Sequence, residues 1–180
     1  MPLAAKSRPT IRPSVPEPRS FAGLLYQREA LGHIARELPS LFELHHAELA
    51  VDPVRAPLDP DWSRYFDYDL AGHLAILTVR DGPLLVGYLF NIIGPHLHKK
   101  STLWAHIDIY WLMPAYRVGW TGVRMFVENE VMLRELGVKK VTSIEKVHFH
   151  NDRGRRNALI YKRLGYAVED IAYAKWIGDK

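Results

Sequence analysis

Apolar residues recur at helical spacing between Gln27 and Ala50, at Leu31, Ile34, Ala35, Leu38, Leu41, Phe42, His45 and Leu49, which predicts helix over that stretch. Pro39 falls inside it and removes one amide from the helical ladder, so a kink or two consecutive helices is expected. Val51 to Asp67 carries Pro53, Pro57 and Pro60 and reads as a loop with a short helix near Trp62. Two apolar, β-branched runs follow, Leu74 to Arg80 and Leu84 to Ile93, joined by Asp81-Gly82-Pro83. Asp-Gly between such runs signals a hairpin, and the proline after it argues against the tightest two-residue form. Leu103 to Met113 supplies a third strand after a connector at Gly94 to Ser101. A long helix then runs from about Gly119 to Leu136, with Gly137 placed as a natural C-cap. Val138 to Val147 is a further strand, Arg153 to Leu164 a helix stopped by Gly165, and Ala167 to Ile177 one or two closing strands. This order predicts an α/β (α+β) domain with a mixed, mostly antiparallel central sheet flanked by helices.

Residues 1–20 break the pattern. They hold five prolines and the basic residues Lys6, Arg8, Arg12 and Arg19, with few large apolar groups. Such a segment buries too little surface to offset its ordering entropy, so a flexible arm is expected, ordered only against a partner. Residues 21–180 form the domain. Hydrophobic residues make up 48% of the chain and it contains no cysteine, which excludes a disulfide scaffold, a thiolate zinc site and a Cys nucleophile. No apolar run approaches the roughly 20 residues that span a bilayer, and the first residues lack the apolar core of a secretory signal. The expectation is a cytoplasmic protein with no membrane partner. The formal charge of +4 suits an anionic ligand but is too small to argue specific nucleic-acid binding.

The chemistry concentrates where the third strand meets the long helix, Ala105-His-Ile-Asp-Ile-Tyr-Trp-Leu-Met-Pro-Ala-Tyr-Arg-Val-Gly-Trp-Thr-Gly. A strand entering a glycine-containing turn and then a helix aims backbone N–H groups and the positive end of the helix at one point, a ready anion site suited to a pyrophosphate. His106, Asp108 and Tyr110 alternate along the strand and should share a face. His96 and His98 would share a face if their segment is extended. With Asp108 they resemble a metal cluster, but a structural zinc site wants four ligands and no fourth is evident, so no metal is assigned.

Pro114-Ala-Tyr116-Arg117-Val118-Gly119-Trp120-Thr121-Gly122 resembles the Arg/Gln-x-x-Gly-x-Gly/Ala signature of the GNAT (GCN5-related) N-acetyltransferases, with Arg117 and Gly122 on its first and last positions and Trp120 at the middle glycine. Arg163-Leu-Gly-Tyr166, with Tyr161 before it, is similar to that family's C-terminal Lys/Arg-Leu-Gly-Phe/Tyr. Gly94-Pro-His96-Leu-His98 and the Leu-Phe-Glu-Leu-His-His helix resemble GNAT proteins of bacteriophages and prophages. The resemblance implies a GNAT-like fold, acetyl-coenzyme A as co-substrate, and transfer to a primary amine on a small molecule or a protein. It implies that Leu112, Met113, Arg117, Val118, Gly119, Trp120, Thr121 and Gly122 hold the cofactor, with a bulge before Pro114 freeing Leu112 and Met113. Tyr161 is the implied acid for the coenzyme A sulfur. Asp108 is the first candidate base and Glu145, on the neighbouring strand, the second. His96, His98, His106 and Tyr110 are candidates for the acceptor wall. A basic cluster at Arg153, Arg155 and Arg156 would attract the cofactor's ribose phosphate. The competing expectation is an inactive GNAT-like structural or interaction protein of a phage particle, with the arm threaded into an assembly or a homodimer.

Overall fold

The structure, a computed structural model, describes residues 17–145 and 152–177, the last group by backbone alone over 152–157. The chain divides into two compact units, Met1–Ile144 and Glu145–Lys180. The arm up to residue 16, His148, His150 and the side chains of Arg153, Arg155 and Arg156 lie outside the described residues.

The first unit is built on one six-stranded sheet whose spatial order follows the sequence, β1 (Arg19–Phe21), β2 (Leu24–Glu29), β3 (Leu74–Asp81), β4 (Leu84–His96), β5 (Lys99–Leu112) and β6 (Lys140–Ser143). All neighbours are antiparallel except β5 and β6, which run parallel. A parallel return needs a long crossover, and the helix α4 (Thr121–Glu135) supplies it.

Strands β1 and β2 stand where the sequence pattern predicts an arm and the start of a helix. Along β2, Leu24 and Tyr26 are buried while Leu25 and Gln27 are less so, a period of two that the longer helical pattern masks. Arg19 and Ser20, assigned to the arm, belong to β1. The two strands join through Ala22 and Gly23, with φ of 50° and 80°. Ala22 is strained there, because a Cβ crowds the carbonyl in left-handed backbone. Ala22→Gly is therefore expected to raise stability by about 1 kcal/mol, read as a shift in the urea midpoint at unchanged slope.

The expected helix breaks in two, α1 (Leu31–Ile34) and α2 (Leu38–Leu49), with Pro39 in the first turn of α2, where its missing N–H costs nothing. The helix α3 (Trp62–Leu70) follows the proline-rich loop and is capped by Asp61, whose carboxylate accepts from Arg64 N at 3.0 Å. The β3–β4 hairpin is tighter than expected: Asp81 pairs with Leu84, leaving only Gly82 and Pro83 between them. Gly82 takes φ 54° and proline fixes a negative φ after it, the sign sequence of a II′ turn, so Gly-Pro fits a two-residue loop here.

Strand alternation sorts the core onto two faces. On one, Leu74, Ile76, Tyr88, Phe90 and Trp111 pack under α1 and α2 with Leu31, Ile34, Leu38 and Phe42. Arg80 ties α2 to the sheet, reaching Glu29 at 2.7 Å and Glu37 at 2.8 Å. On the other face α4 is fixed by a fully buried amide pair. Asn91 donates to Asn129 Oδ1 at 2.7 Å and to Ala75 O at 3.1 Å, and Asn129 returns a bond at 3.2 Å.

In the second unit, α5 (Asp152–Arg163) ends at Gly165, with φ 81°, as Tyr166 N reaches Tyr161 O at 2.9 Å. Residues 166–177 form no strand, against the expected closing strands. An apolar run becomes a strand only where a neighbouring edge satisfies its amides, and among the described residues none pairs with it.

Candidate functional site

β6 is the edge strand of the sheet and lies beside only part of β5. Their parallel ladder runs from Trp104↔Lys140 to Ile107↔Ser143 and stops. From Asp108 to Leu112, β5 continues beside β4 alone, so among the described residues its other edge has no strand partner.

The register on the β4 side shows what that edge offers. Met113 N–H donates to Val86 O at 2.8 Å, which makes the Gly87–Leu112 pair the non-hydrogen-bonded kind. The backbone groups of Leu112, and of Tyr110 two residues before it, consequently point toward the open edge. The bulge lies earlier than expected: Phe90 pairs with Ile109 and Asn91 with Ile107, so the extra residue is Asp108. Met113 is not freed by a bulge, since its N–H holds Val86 and its carbonyl accepts from Tyr116 N at 2.9 Å.

The bulge also breaks the predicted face. Strict alternation would align His106, Asp108 and Tyr110, but the extra residue reverses the phase beyond it. Tyr110 stacks edge-on against Phe126 of α4, centroids 5.1 Å apart, whereas Asp108 accepts from Tyr65 Oη of α3 at 3.3 Å. Tyr110 thus leaves the acceptor wall and faces α4. Tyr65 enters it, and its hydroxyl is pushed up to about 12, first by burial and then by the charge of Asp108.

His106 lies at the fork of the two strands. Its Nδ1 is 3.0 Å from Thr142 Oγ1, and that hydroxyl donates to Ala105 O at 3.4 Å. With its one proton given to the carbonyl, Thr142 can only accept from the ring, which places the imidazole proton on Nδ1 and the lone pair on Nε2. His96 and His98 are elsewhere, at the tip of the β4–β5 hairpin. Six positions along β4 separate Phe90 from His96, about 20 Å at strand rise. Among the described residues no cluster could hold a metal ion.

Past Leu112 a 3-10 turn (Pro114–Tyr116) leads to Gly119, φ 56°, and Trp120, which precedes α4 without a side-chain cap. The amides of Tyr116, Arg117 and Thr121 are taken up within the turn. Those of Val118, Gly119, Gly122 and Val123 have no acceptor among the described residues, and they sit at the positive end of a four-turn helix. Trp120 and Val118 are exposed, at 59% and 65%. A phosphate group fits this donor set, which is mainly backbone and free of carboxylates.

Arg117 is placed differently from its expected role. Its guanidinium forks onto Glu48 of α2, Nη1–Oε1 2.5 Å and Nη2–Oε2 2.6 Å, while Nε donates to Leu112 O at 2.6 Å. Trp111 Nε1 donates to the same Glu48 at 2.9 Å. Arg117 is a brace that pins the end of β5 to α2. Gly87 presses on the same point, because a Cβ there would lie 2.7 Å from Leu112 Cδ1 and 3.1 Å from Trp111 O. Gly87→Ala is expected to cost about 1–3 kcal/mol by overpacking, read as a lowered Tm.

Tyr161 is on α5 in the second unit, half-buried, with its ring 5.3 Å from that of Tyr166. Glu145 lies just past the end of β6 rather than on it.

The sequence matches no protein-family model and no curated protein. The structure is similar to many solved ones. An aminoglycoside acetyltransferase from an uncultured soil metagenomic sample aligns with TM-score 0.68 at 10% identity, over 86% of this chain and 99% of that one. A ribosomal-protein-alanine N-acetyltransferase from Brucella melitensis biovar Abortus 2308 aligns with TM-score 0.62 at 15% identity, over 86% and 99%. A predicted acetyltransferase from Clostridium acetobutylicum, solved with acetyl-coenzyme A, gives TM-score 0.58 at 15% identity, over 87% and 96%. The fold is that of the GNAT acetyltransferases, mixed and mostly antiparallel as the sequence pattern predicts. These neighbours lend no support to the phage resemblance.

Proposed function

We propose that this chain is an acetyl-coenzyme A-dependent N-acetyltransferase acting on a primary amine. The observation that carries the reading is the edge of β5 from Asp108 to Leu112, without a strand partner among the described residues, leading through the Pro114–Tyr116 turn to amides at the start of α4 that have no acceptor among those residues. An extended pantetheine arm is a chain of amides that such an edge can bind as a strand would, and a diphosphate suits the helix terminus.

Acetyl-coenzyme A supplies an activated thioester. The residues then have three tasks. Leu112 N–H, aimed into the cleft, donates to the carbonyl oxygen as the amine adds and negative charge develops. His106 Nε2 takes the proton that the amine loses on forming the C–N bond, with Thr142 holding the ring's other nitrogen. Asp108 and Tyr65 orient the incoming amine beside it. By the resemblance at Arg163-Leu-Gly-Tyr166, Tyr161 is the candidate to give a proton to the sulfur as the C–S bond breaks, and Glu145 a second candidate for proton removal. Val118, Gly119 and Gly122 cradle the phosphates, and Trp120 and Thr121 close the turn. The named neighbours include enzymes for a small-molecule and for a protein acceptor, so both classes are open to this fold.

Calorimetric titration with acetyl-coenzyme A tests the reading. One saturable site is expected, with stabilisation of about 2.7 kcal/mol at a hundredfold excess over Kd. No heat and no thermal shift at millimolar ligand would leave a GNAT-like scaffold without the activity.

A further inference from the structure

Two consecutive side chains anchor the 3-10 turn that carries the chain from β5 toward α4. Arg117 reaches Glu48 of α2. Tyr116 reaches a different element: its hydroxyl donates to Asp81 Oδ2 at 2.8 Å, 35 residues back at the tip of the β3–β4 hairpin. That tip is firmly built. Asp81 pairs with Leu84 across the two-residue loop. Beside it, Arg80 donates to Pro83 O at 2.8 Å while bonded to both Glu29 and Glu37. The hydrogen bond to Asp81 raises the Tyr116 hydroxyl above its ordinary range, so the phenol remains the donor wherever Asp81 is ionised. A bond this exposed does little for stability, since water replaces either partner. What it does is select one position for the turn. Tyr116 N–H is held by Met113 O at 2.9 Å, and the amides of Val118 and Gly119, two and three residues on, have no acceptor among the described residues. Neighbouring Cα atoms are about 3.8 Å apart, so a shift of Tyr116 displaces both amides by more than a well-aligned hydrogen bond tolerates.

We propose that Asp81 and Tyr116 are positioning residues for the cofactor, their clasp fixing the turn where the Val118 and Gly119 amides converge on a phosphate. This rests on the acetyl-coenzyme A reading of the site. Both residues act through the backbone and not by contact with the ligand. With the clasp released, the turn spends only part of its time in the competent arrangement, and the apparent affinity falls by that fraction. A competent tenth gives a loss of about tenfold. The thioester end lies along β5, so turnover of the bound cofactor is left as it was.

Calorimetry and steady-state kinetics on Tyr116→Phe and Asp81→Ala test the clasp. The Kd and KM for acetyl-coenzyme A should rise about tenfold in each, with kcat at saturating cofactor kept and Tm barely moved. The double variant should be no worse than either single one, because the two residues share one bond. Asp81→Asn keeps an oxygen that accepts from the phenol and should restore most of the affinity. Acetylpantetheine, which has the thioester but no phosphate, should show the same kcat/KM with all four variants as with the wild type. Unchanged affinity in both single variants, losses that multiply in the double variant, or an equal loss with acetylpantetheine overturns the inference. A wild type that gives no heat with acetyl-coenzyme A overturns the transferase reading instead. The clasp is then decided on the ligand-free protein by 15N relaxation: order parameters at Val118 and Gly119 should fall in Tyr116→Phe, and values equal to the wild type's overturn it.

Discussion

His106→Gln is expected to lower kcat about 10²- to 10³-fold with little change in the affinity for acetyl-coenzyme A, the usual worth of a positioned general base. Glutamine keeps a hydrogen-bonding group near Thr142, so the strand fork should hold and the melting temperature should barely move. What disappears is the lone pair on Nε2, the one site on this stretch of β5 whose proton-accepting state the hydrogen bonds fix. Asp108→Asn leaves the imidazole in place and should cost no more than about tenfold, through a misplaced amine. The reverse ranking, Asp108→Asn crippling and His106→Gln harmless, would move the base to the bulged carboxylate.

Arg117→Met is expected to remove about 2–3 kcal/mol of stability, and with it roughly 5–10 °C of Tm. The loss comes from what stays behind, because Glu48 has a side-chain exposure of only 15% and would keep its charge without the fork that balances it. Glu48→Leu with Arg117→Met should recover part of that loss, giving a double-mutant cycle with clear coupling. A phosphate ligand would behave otherwise, with acetyl-coenzyme A affinity falling steeply while Tm holds. Thermal melts and calorimetry on the same three proteins distinguish the two.

The contrast shows where the sequence was readable. The strand, turn and helix around Pro114 follow from local rules, since proline, a glycine with positive φ and an amphipathic run each act on their neighbours. The two-helix break at Pro39 and the hairpin at Gly82 are local in the same way. Arg117 is not. It matches a family position, but its partner is 69 residues away on α2, and no periodicity reports a contact of that span. The Asp108 bulge was equally hidden, because one extra residue leaves the apolar pattern of β5 intact while inverting the faces beyond it. Tyr65 and Thr142 entered the site only through that inversion and through the β5–β6 register. Strand β2 was lost to a competing period and β1, Arg19-Ser20-Phe21, has no apolar run to announce it, although Ala22-Gly23 before Leu24-Leu25-Tyr26 was a weak turn signal.

The same five residues of β5 that we propose as a berth for a linear amide ligand have no strand beside them on the side away from β4 among the described residues, and with nothing along them they are a bare template for any other extended chain. Backbone recognises backbone with little regard for sequence, and unprotected borders of this kind invite self-association. The ligand would then act as a guard as well as a reactant, sealing the border it binds. Protein kept with coenzyme A should remain monodisperse at concentrations where the same preparation, stripped, scatters light.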